Sequence, residues 1–263
     1  MTKYLRLGLM CLLLAVVVQC ASLAGPIQDP VKYSQLPRMT ANSWDYSSET
    51  KAAIQPPLWS LMADDWQCPD GRPVTDIHWW GSYWTPPGAY TVYSDQLANA
   101  PLGGITGFNI TIYDDVPVDP AKGIYYSRPG AVKSYFTIPG PANETLYGTI
   151  DKGSGLTEDV YQYYVNLDPQ DYFNQEKDKI YWLSIQAILP TNVKQWGWHE
   201  AIDHRYDYAV QQWGVESGWY VACTGHDMAF ELTSVPEPAS LASVLMGICT
   251  MSAWAFRSRK RTR

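Results

Sequence analysis

The chain has 263 residues and a formal net charge of −7, which is distributed very unevenly. Residues 25–235 hold 12 of the 19 basic and 25 of the 26 acidic residues, so this body has a net charge of −13. Nucleic-acid phosphates would repel such a body, which excludes a nucleic-acid partner. A content of 46% hydrophobic and 14% aromatic residues also excludes an intrinsically disordered chain.

The first predicted element is a secretory signal peptide at residues 1–24. Lys3 and Arg6 precede an apolar run over residues 7–18, and small residues lead up to Ala24. This pattern predicts cleavage after Ala24 by signal peptidase. An uncleaved anchor is an alternative, but the apolar run is short for a bilayer span. A lipoprotein is another alternative, although Gln19 is a poor residue before the lipid-bearing Cys20.

Residues 25–60 carry Pro, Ser and Gln with scattered aromatics and are predicted to form an extended lead-in. Residues 61–234 are predicted to form one β domain, because short β-type runs alternate with Gly, Pro, Asn and Asp. In one such run Phe108, Ile110 and Ile112 fall on one face, and the residues between them fall on the other. Strands are predicted over residues 74–84, 105–113, 132–138, 145–150, 160–167, 180–189, 218–223 and 228–232. The fold class is therefore all-β, with a single sandwich or jelly-roll-like ectodomain.

Two cysteines, Cys68 and Cys223, lie in this body, and the other three lie in the terminal segments. An exported body is exposed to oxidising conditions, so we predict a disulfide between these two residues. Two separate buried thiols are the alternative.

The C-terminal segment, residues 235–263, combines three features in a fixed order. A Pro236-Glu237-Pro238 motif precedes an uncharged apolar stretch over residues 239–256. At 1.5 Å per residue this stretch spans about 27 Å, which is enough to cross the hydrocarbon core as a transmembrane helix. A basic cluster follows it and would hold this end in the cytoplasm: Arg257, Arg259, Lys260, Arg261 and Arg263.

This order resembles the PEP-CTERM sorting signal of exported bacterial proteins. The resemblance implies that a membrane-embedded exosortase recognises Pro236, Glu237 and Pro238, while the helix and the basic tail retain the chain for processing. It also implies passage through the inner membrane of a Gram-negative bacterium to the cell surface, outer envelope or extracellular matrix. An ordinary tail anchor with a chance Pro-Glu-Pro sequence is the alternative.

Several segments of the body resemble an uncharacterised β-rich domain that is common in PEP-CTERM proteins. They lie at residues 63–68, 74–83, 110–117, 127–130, 180–187, 197–198 and 227–230. The resemblance covers most of residues 55–233 and supports a β-sandwich, but it implies no activity.

Three acids, Asp64, Asp65 and Asp227, are candidate Ca²⁺ ligands, because hard oxygen ligands from loops at sandwich edges suit this ion. Solvated acids or turn caps are the alternative. His199 and His204 are five residues apart, whereas the zinc-protease helix motif needs four. No nucleophile motif occurs either, so we expect no enzyme.

Tryptophans are the strongest binding candidates in the body, because the flat C–H faces of sugars stack on indole rings. A glycan platform is predicted at Trp79, Trp80, Trp84, Trp196 and Trp198, with Trp213 as a further candidate. The alternative is that these residues build the core. Adjacent strand residues face opposite ways, so at least one of Trp79 and Trp80 is expected in the core.

Taken together, the sequence predicts an exported, exosortase-sorted surface or matrix protein with a non-catalytic structural or adhesive domain. Its expected partners are signal peptidase, exosortase, the membrane before processing, and exopolysaccharide or another glycan. The first alternative is a carbohydrate-binding module, and the second is a glycan-active hydrolase.

Overall fold

The computed structural model describes residues 30–51, 58–68, 70–84, 104–190, 195–214, 218–222 and 225–234. The predicted signal peptide, sorting motif, transmembrane segment and basic tail lie outside these residues. All of the strands belong to a compact unit that begins at Val31. Among the residues described, no helix has the length and apolar character that a membrane crossing requires.

The described part of the chain forms fourteen strands and one short 3-10 turn at Pro120–Lys122. The strands are β1 (Val31–Gln35), β2 (Asp45–Ser47), β3 (Glu49–Lys51), β4 (Leu58–Gln67), β5 (Asp76–Trp84), β6 (Gly107–Val116), β7 (Arg128–Pro139), β8 (Thr145–Gly153), β9 (Leu156–Asn166), β10 (Ile180–Ile188), β11 (Gln195–His199), β12 (Val210–Trp213), β13 (Tyr220–Val221) and β14 (Phe230–Thr233).

These strands form two seven-stranded sheets that share one core. The first sheet has the order β1-β14-β5-β11-β2, in which β14 and β11 pair with successive parts of one edge of β5. Strand β9 pairs with the other edge of β5, and β8 pairs with β9. The second sheet has the order β13-β12-β4-β3-β10-β6-β7, and β4 also pairs directly with β10. The prediction of an all-β, sandwich-like fold is confirmed.

Strand β6 shows how the sequence determines the two faces of the second sheet. Phe108, Ile110 and Ile112 are buried in the core between the sheets, as their alternation predicts. The strand pairs in antiparallel register with β10 on one side and with β7 on the other. The residues between the three apolar ones therefore lie on the outer face of this sheet.

The ring of Phe108 is the point where the two sheets interlock. It lies 4.9 Å from Trp79, 5.1 Å from Tyr163 and 5.3 Å from Trp196, measured between ring centroids. These three residues belong to β5, β9 and β11 of the first sheet, whereas Phe108 belongs to the second. Each edge-to-face aromatic pair contributes about 0.5–1.5 kcal/mol beyond the burial of its surface.

The structure differs from the predicted lead-in, because β1, β2 and β3 lie within residues 31–51 and belong to the two sheets. Their inward positions include polar side chains, so the sequence shows no apolar alternation there. The contacts of these side chains are long-range. Gln35 donates to Asp64 over 3.0 Å, the Ser48 hydroxyl donates to the Ile185 carbonyl over 2.5 Å, and a Glu49 oxygen accepts a bond from a backbone N–H.

Gly81 in β5 lies against the Trp196 indole, and a Cβ atom at this position would be 2.3 Å from a ring carbon. We expect Gly81→Ala to lower the free energy of unfolding by about 1–3 kcal/mol, the usual cost of overpacking a core. Urea denaturation measures this change. Gly218→Ala is the matched control, because a Cβ there has no atom within 4 Å. Equal stability of the two variants would contradict the packing described.

Candidate functional site

The predicted tryptophan platform is wrong for four of the five candidate tryptophan side chains that the structure describes; the fifth, Trp213, is 45% exposed at the end of β12. Trp79, Trp196 and Trp198 are fully buried in the main core, and Trp80 is buried in a smaller cluster on the outer face of the first sheet. Trp79 and Trp80 do face opposite ways, as expected for a strand. The Trp84 side chain lies outside the described residues. No ligand can stack on buried rings, so these indoles stabilise the fold instead.

The first acid of the predicted calcium set, Asp64, is buried and already bonded to donors within the protein. One of its oxygens accepts bonds from the backbone N–H of Met228 at 2.7 Å and from the Gln35 amide at 3.0 Å. The other oxygen accepts a bond from the backbone N–H of Asp65 at 3.0 Å. Asp64 therefore joins β4 to β1 and to the chain just before β14.

The other two acids of that set, Asp65 and Asp227, do not complete a ligand cluster with Asp64. Asp65 is the next residue of β4 and faces the opposite side of the sheet. Asp227 accepts bonds from His204 at 2.8 Å and from the backbone N–H of Arg205 at 2.6 Å. Calcium binding stays a prediction, but these three acids do not converge on one point as its ligands.

Burial dominates the electrostatics of these three acids. It raises the pKa of Asp64 well above the usual range, and the neighbouring carboxylates of Asp227 and Asp65 raise it further. Burial, together with the charges of Asp207 and Asp227, raises the pKa of Asp65 to about 9. Burial therefore favours the protonated form of the Asp65 carboxyl in the folded chain.

The histidines that superficially resemble a zinc-protease motif have separate partners. His199 ends strand β11 and bonds to Asp45, whereas Glu200 bonds to Arg38 at 2.9 Å and lies 3.1 Å from His226. His204 bonds to Asp227. The segment is a strand followed by a turn, which agrees with the rejection of the helical motif.

Cys68 is buried directly after β4, and it has no disulfide partner among the described residues. Its predicted partner, Cys223, lies outside the described residues. The disulfide therefore stays a prediction.

The structure does show a groove that the sequence analysis did not identify. It lies on the outer face of the second sheet, crosses β4, β10, β6 and β7, and encloses about 370 Å³. Its lining residues are Trp59, Leu61, Asn109, Thr111, Tyr113, Val132, Tyr135 and Gln186. Leu61, Thr111 and Gln186 are the buried members of this set.

Aromatic rings line this sheet-face groove. Tyr135 on β7 is 59% exposed, while Trp59 on β4 and Tyr113 on β6 are half-buried. The Tyr135 hydroxyl donates to the Asn109 side chain over 2.9 Å, which holds the ring in a fixed orientation. The groove thus offers flat apolar surfaces from three different strands.

A row of hydrogen-bonding groups runs between these rings. Thr137 also donates to the Asn109 oxygen, at 3.0 Å, and the Asn109 amide donates to Gln186 over 3.3 Å. Gln186 in turn donates to the Ser60 carbonyl over 2.8 Å. Asn109 and Gln186 are cross-strand partners, so this row is fixed by the register of β6 on β10. Hydroxyl lone pairs and the second N–H of Asn109 remain as groups for a ligand.

This groove was not predicted because β4 and β10, which supply part of its lining, are distant in the chain from the consecutive strands β6 and β7. The alternation in β6 did place Asn109, Thr111 and Tyr113 together on an outward face. Nothing in the sequence indicated that β10 and β4 lie on one side of them and β7 on the other.

The raised pKa of Asp65 makes stability depend on pH. The folded chain keeps this proton up to about pH 9, whereas the unfolded carboxyl has a pKa of 3.8, so the free energy of unfolding falls as pH rises between these values. Asp65→Asn cannot ionise, so we expect its stability relative to the unchanged protein to improve from about pH 5 to about pH 9. Urea denaturation across this range measures the difference.

The exposed Asp203→Asn is the control for this prediction, because it removes an acid without removing a buried proton. A constant stability difference between Asp65→Asn and the unchanged protein across the pH range would contradict the assignment.

A family model described as Domain of unknown function (DUF7901) matches residues 31–233. Neither a curated protein nor a solved structure matches the chain. The family match begins with the first residue of β1 and ends with the last residue of β14, so it includes every strand of both sheets. The chain therefore belongs to the DUF7901 family, a domain of unknown function.

Proposed function

We propose that this chain is an exported surface or extracellular-matrix protein whose β-sandwich binds a neutral glycan in the sheet-face groove, without catalysing a reaction. The observation that carries the proposal is the row of bonded amide and hydroxyl groups between three aromatic side chains. This combines the adhesive role with the carbohydrate-binding alternative that the sequence analysis left open.

The aromatic side chains supply the apolar half of sugar recognition. A sugar ring presents C–H groups on its faces, and an exposed aromatic ring offers a flat surface against which they pack. Tyr135 is the principal candidate because most of its surface is exposed and its hydroxyl is held by Asn109. A ring that is already oriented loses little conformational entropy when a ligand binds.

The polar row supplies the other half of sugar recognition. Sugar hydroxyls both donate and accept, and they therefore suit a surface that offers amide N–H groups and hydroxyl oxygens together. Asn109, Tyr135 and Gln186 present such groups along the groove, and Thr137 beside it bonds to Asn109. Fixed bonds among these side chains prevent them from collapsing into a different arrangement when water is displaced.

The charge of the body favours a neutral glycan over an acidic one. Residues 25–235 have a net charge of −13, which repels anionic polysaccharides over distances beyond direct contact. A groove that crosses the face of a sheet suits an internal stretch of a polysaccharide better than a single free sugar.

Export and sorting form the second part of the proposal. The N-terminal pattern supports cleavage by signal peptidase, and the PEP-CTERM resemblance supports processing by exosortase at Pro236, Glu237 and Pro238. The inner membrane would hold the chain in transit through residues 239–256. The Cys68–Cys223 disulfide would form after export, in an oxidising compartment.

Binding is tested with immobilised neutral oligosaccharides of the cello-, xylo- and manno- series. We expect the purified chain to bind at least one series, and Tyr135→Ala to weaken this binding at least about ten-fold, equivalent to about 1.4 kcal/mol. Tyr125→Ala is the matched control, because Tyr125 is 75% exposed but does not line the groove.

Absence of binding to every neutral series would contradict the proposed ligand. Equal weakening by Tyr135→Ala and Tyr125→Ala would contradict the proposed site. Release of shorter products from a bound oligosaccharide would favour the glycan-active hydrolase instead.

Processing is tested by mass spectrometry of the protein from the cell-surface fraction. We expect a mature N-terminus near Gly25 and the loss of the C-terminal apolar segment, because both ends carry targeting patterns. Replacing Pro236, Glu237 and Pro238 by alanine should keep the chain in the membrane fraction. A surface form that still ends at Arg263 would contradict exosortase processing.

A further inference from the structure

Three side chains that bind metals in many proteins meet on the outer face of the first sheet. They are Asp45 on β2, Glu158 on β9 and His199 on β11, and they come from distant parts of the chain. His199 faces outward because Trp196 and Trp198 on the same strand occupy the core. The side chains of His199 and Glu158 are 0% and 2% exposed, and that of Asp45 is 10% exposed.

The distances between their ligand atoms fit a single small cation. His199 Nδ1 lies 2.8 Å from an Asp45 oxygen and 3.8 Å from Glu158 Oε1, and one ligand atom from each residue lies within 4.8 Å of the others. A tetrahedral zinc ion with bonds of about 2.0–2.1 Å places its ligands about 3.3 Å apart. This value falls between the two measured distances. Small side-chain adjustments would therefore bring the ligand atoms to the spacing that a tetrahedral zinc ion requires.

Groups behind these ligands orient them toward a common point. His199 Nε2 lies 2.9 Å from the Arg38 carbonyl oxygen, which can only accept, so Nε2 carries a hydrogen and Nδ1 faces the two acids. Lys152 Nζ lies 2.5 Å from Glu158 Oε2 and holds that oxygen away from the cluster. Such contacts behind the ligands are typical of built metal sites.

The remaining oxygen of Glu158 independently points to a ligand. Glu158 Oε1 is buried, receives no hydrogen bond from an N–H or hydroxyl group, and faces His199 and the Asp45 carboxyl, with which Glu158 can share a proton. A cation between the three residues would replace that proton and neutralise the two acids. The other Glu158 oxygen is already used by Lys152.

We propose that Asp45, Glu158 and His199 bind one divalent transition-metal ion of the zinc class. An imidazole nitrogen with two carboxylates matches the ligand preferences of zinc better than those of calcium or magnesium, which favour oxygen alone. Three protein ligands leave one position for water or another small ligand. The site lies on a different sheet from the sheet-face groove, so it does not depend on the proposed glycan binding.

A pocket of about 640 Å³ gives the ion a path from solvent. Asp45, Lys152 and Glu158 line it together with residues 41–44. Trp44 in this wall is 62% exposed. The cluster is therefore buried without being sealed, as a site with an open coordination position requires.

The test is calorimetric titration of the full chain with Zn²⁺ after removal of metals by a chelator. We expect one ion per chain, with affinity at least ten-fold weaker in His199→Ala and in the nearly isosteric Glu158→Gln. His78→Ala is the matched control, because His78 also bonds to a carboxylate but lies outside the cluster. This control should bind Zn²⁺ as the unchanged protein does.

Substitution of Co²⁺ for Zn²⁺ provides a second readout, since a low-coordinate nitrogen and oxygen site gives visible absorption bands. These bands should appear in the unchanged protein and in His78→Ala, and should be lost in Glu158→Gln. If His199→Ala does not fold, Glu158→Gln alone decides. Lack of Zn²⁺ binding by the folded chain, or equal affinity in Glu158→Gln, would overturn the proposal and leave a triad that binds only a proton.

Discussion

The insertion of the Phe108 ring among three aromatic rings of the facing sheet is the contact on which the rest of the structure depends. Its neighbours Trp79, Tyr163 and Trp196 come from three strands of the first sheet, so a single side chain of the second sheet contacts them all. Replacing such a ring with alanine usually costs about 3–5 kcal/mol. Because strand residues alternate, the inward position of Phe108 also determines on which face of the sheet its neighbours along β6 lie.

Both proposed sites follow from this alternation. On the second sheet, the inward position of Phe108 turns Asn109 outward, where it joins Tyr135 and Gln186 in the groove. On the first sheet, the inward indoles of β11 turn His199 outward toward Asp45. The aromatic residues thus contribute to the two sites only indirectly. They occupy the core, and their inward positions determine which polar residues lie on the two outer faces.

The sequence was sufficient for the parts of the fold that depend on local pattern. The strict alternation around Phe108 predicted both faces of β6, and adjacency predicted that Trp79 and Trp80 diverge. It was insufficient where buried polar groups find distant partners. Gln35 and Asp64 bond to each other across the core, yet each residue type indicates an exposed position when read alone. For this reason, strands β1 and β4 were not predicted.

The candidate sites were harder to predict than the fold, because they depend on which strands become neighbours. Tryptophans suggest sugar platforms by residue type, but Trp196 and Trp198 are core residues, since Gly81 provides space for one of the indoles. The acids that do converge, Asp45 and Glu158, are far apart in the chain. Adjacent acids such as Asp64 and Asp65 diverge, because neighbouring strand residues face opposite sides of a sheet.

The most direct test of glycan binding on the outer face of the second sheet is nuclear magnetic resonance of the side-chain amides during titration with a neutral oligosaccharide. We expect the largest shifts in the side-chain amides of Asn109 and Gln186, while the indole N–H of Trp44, just before β2 of the first sheet, stays unchanged. Shifts at Trp44 with unchanged Asn109 and Gln186 signals would contradict glycan binding in the sheet-face groove.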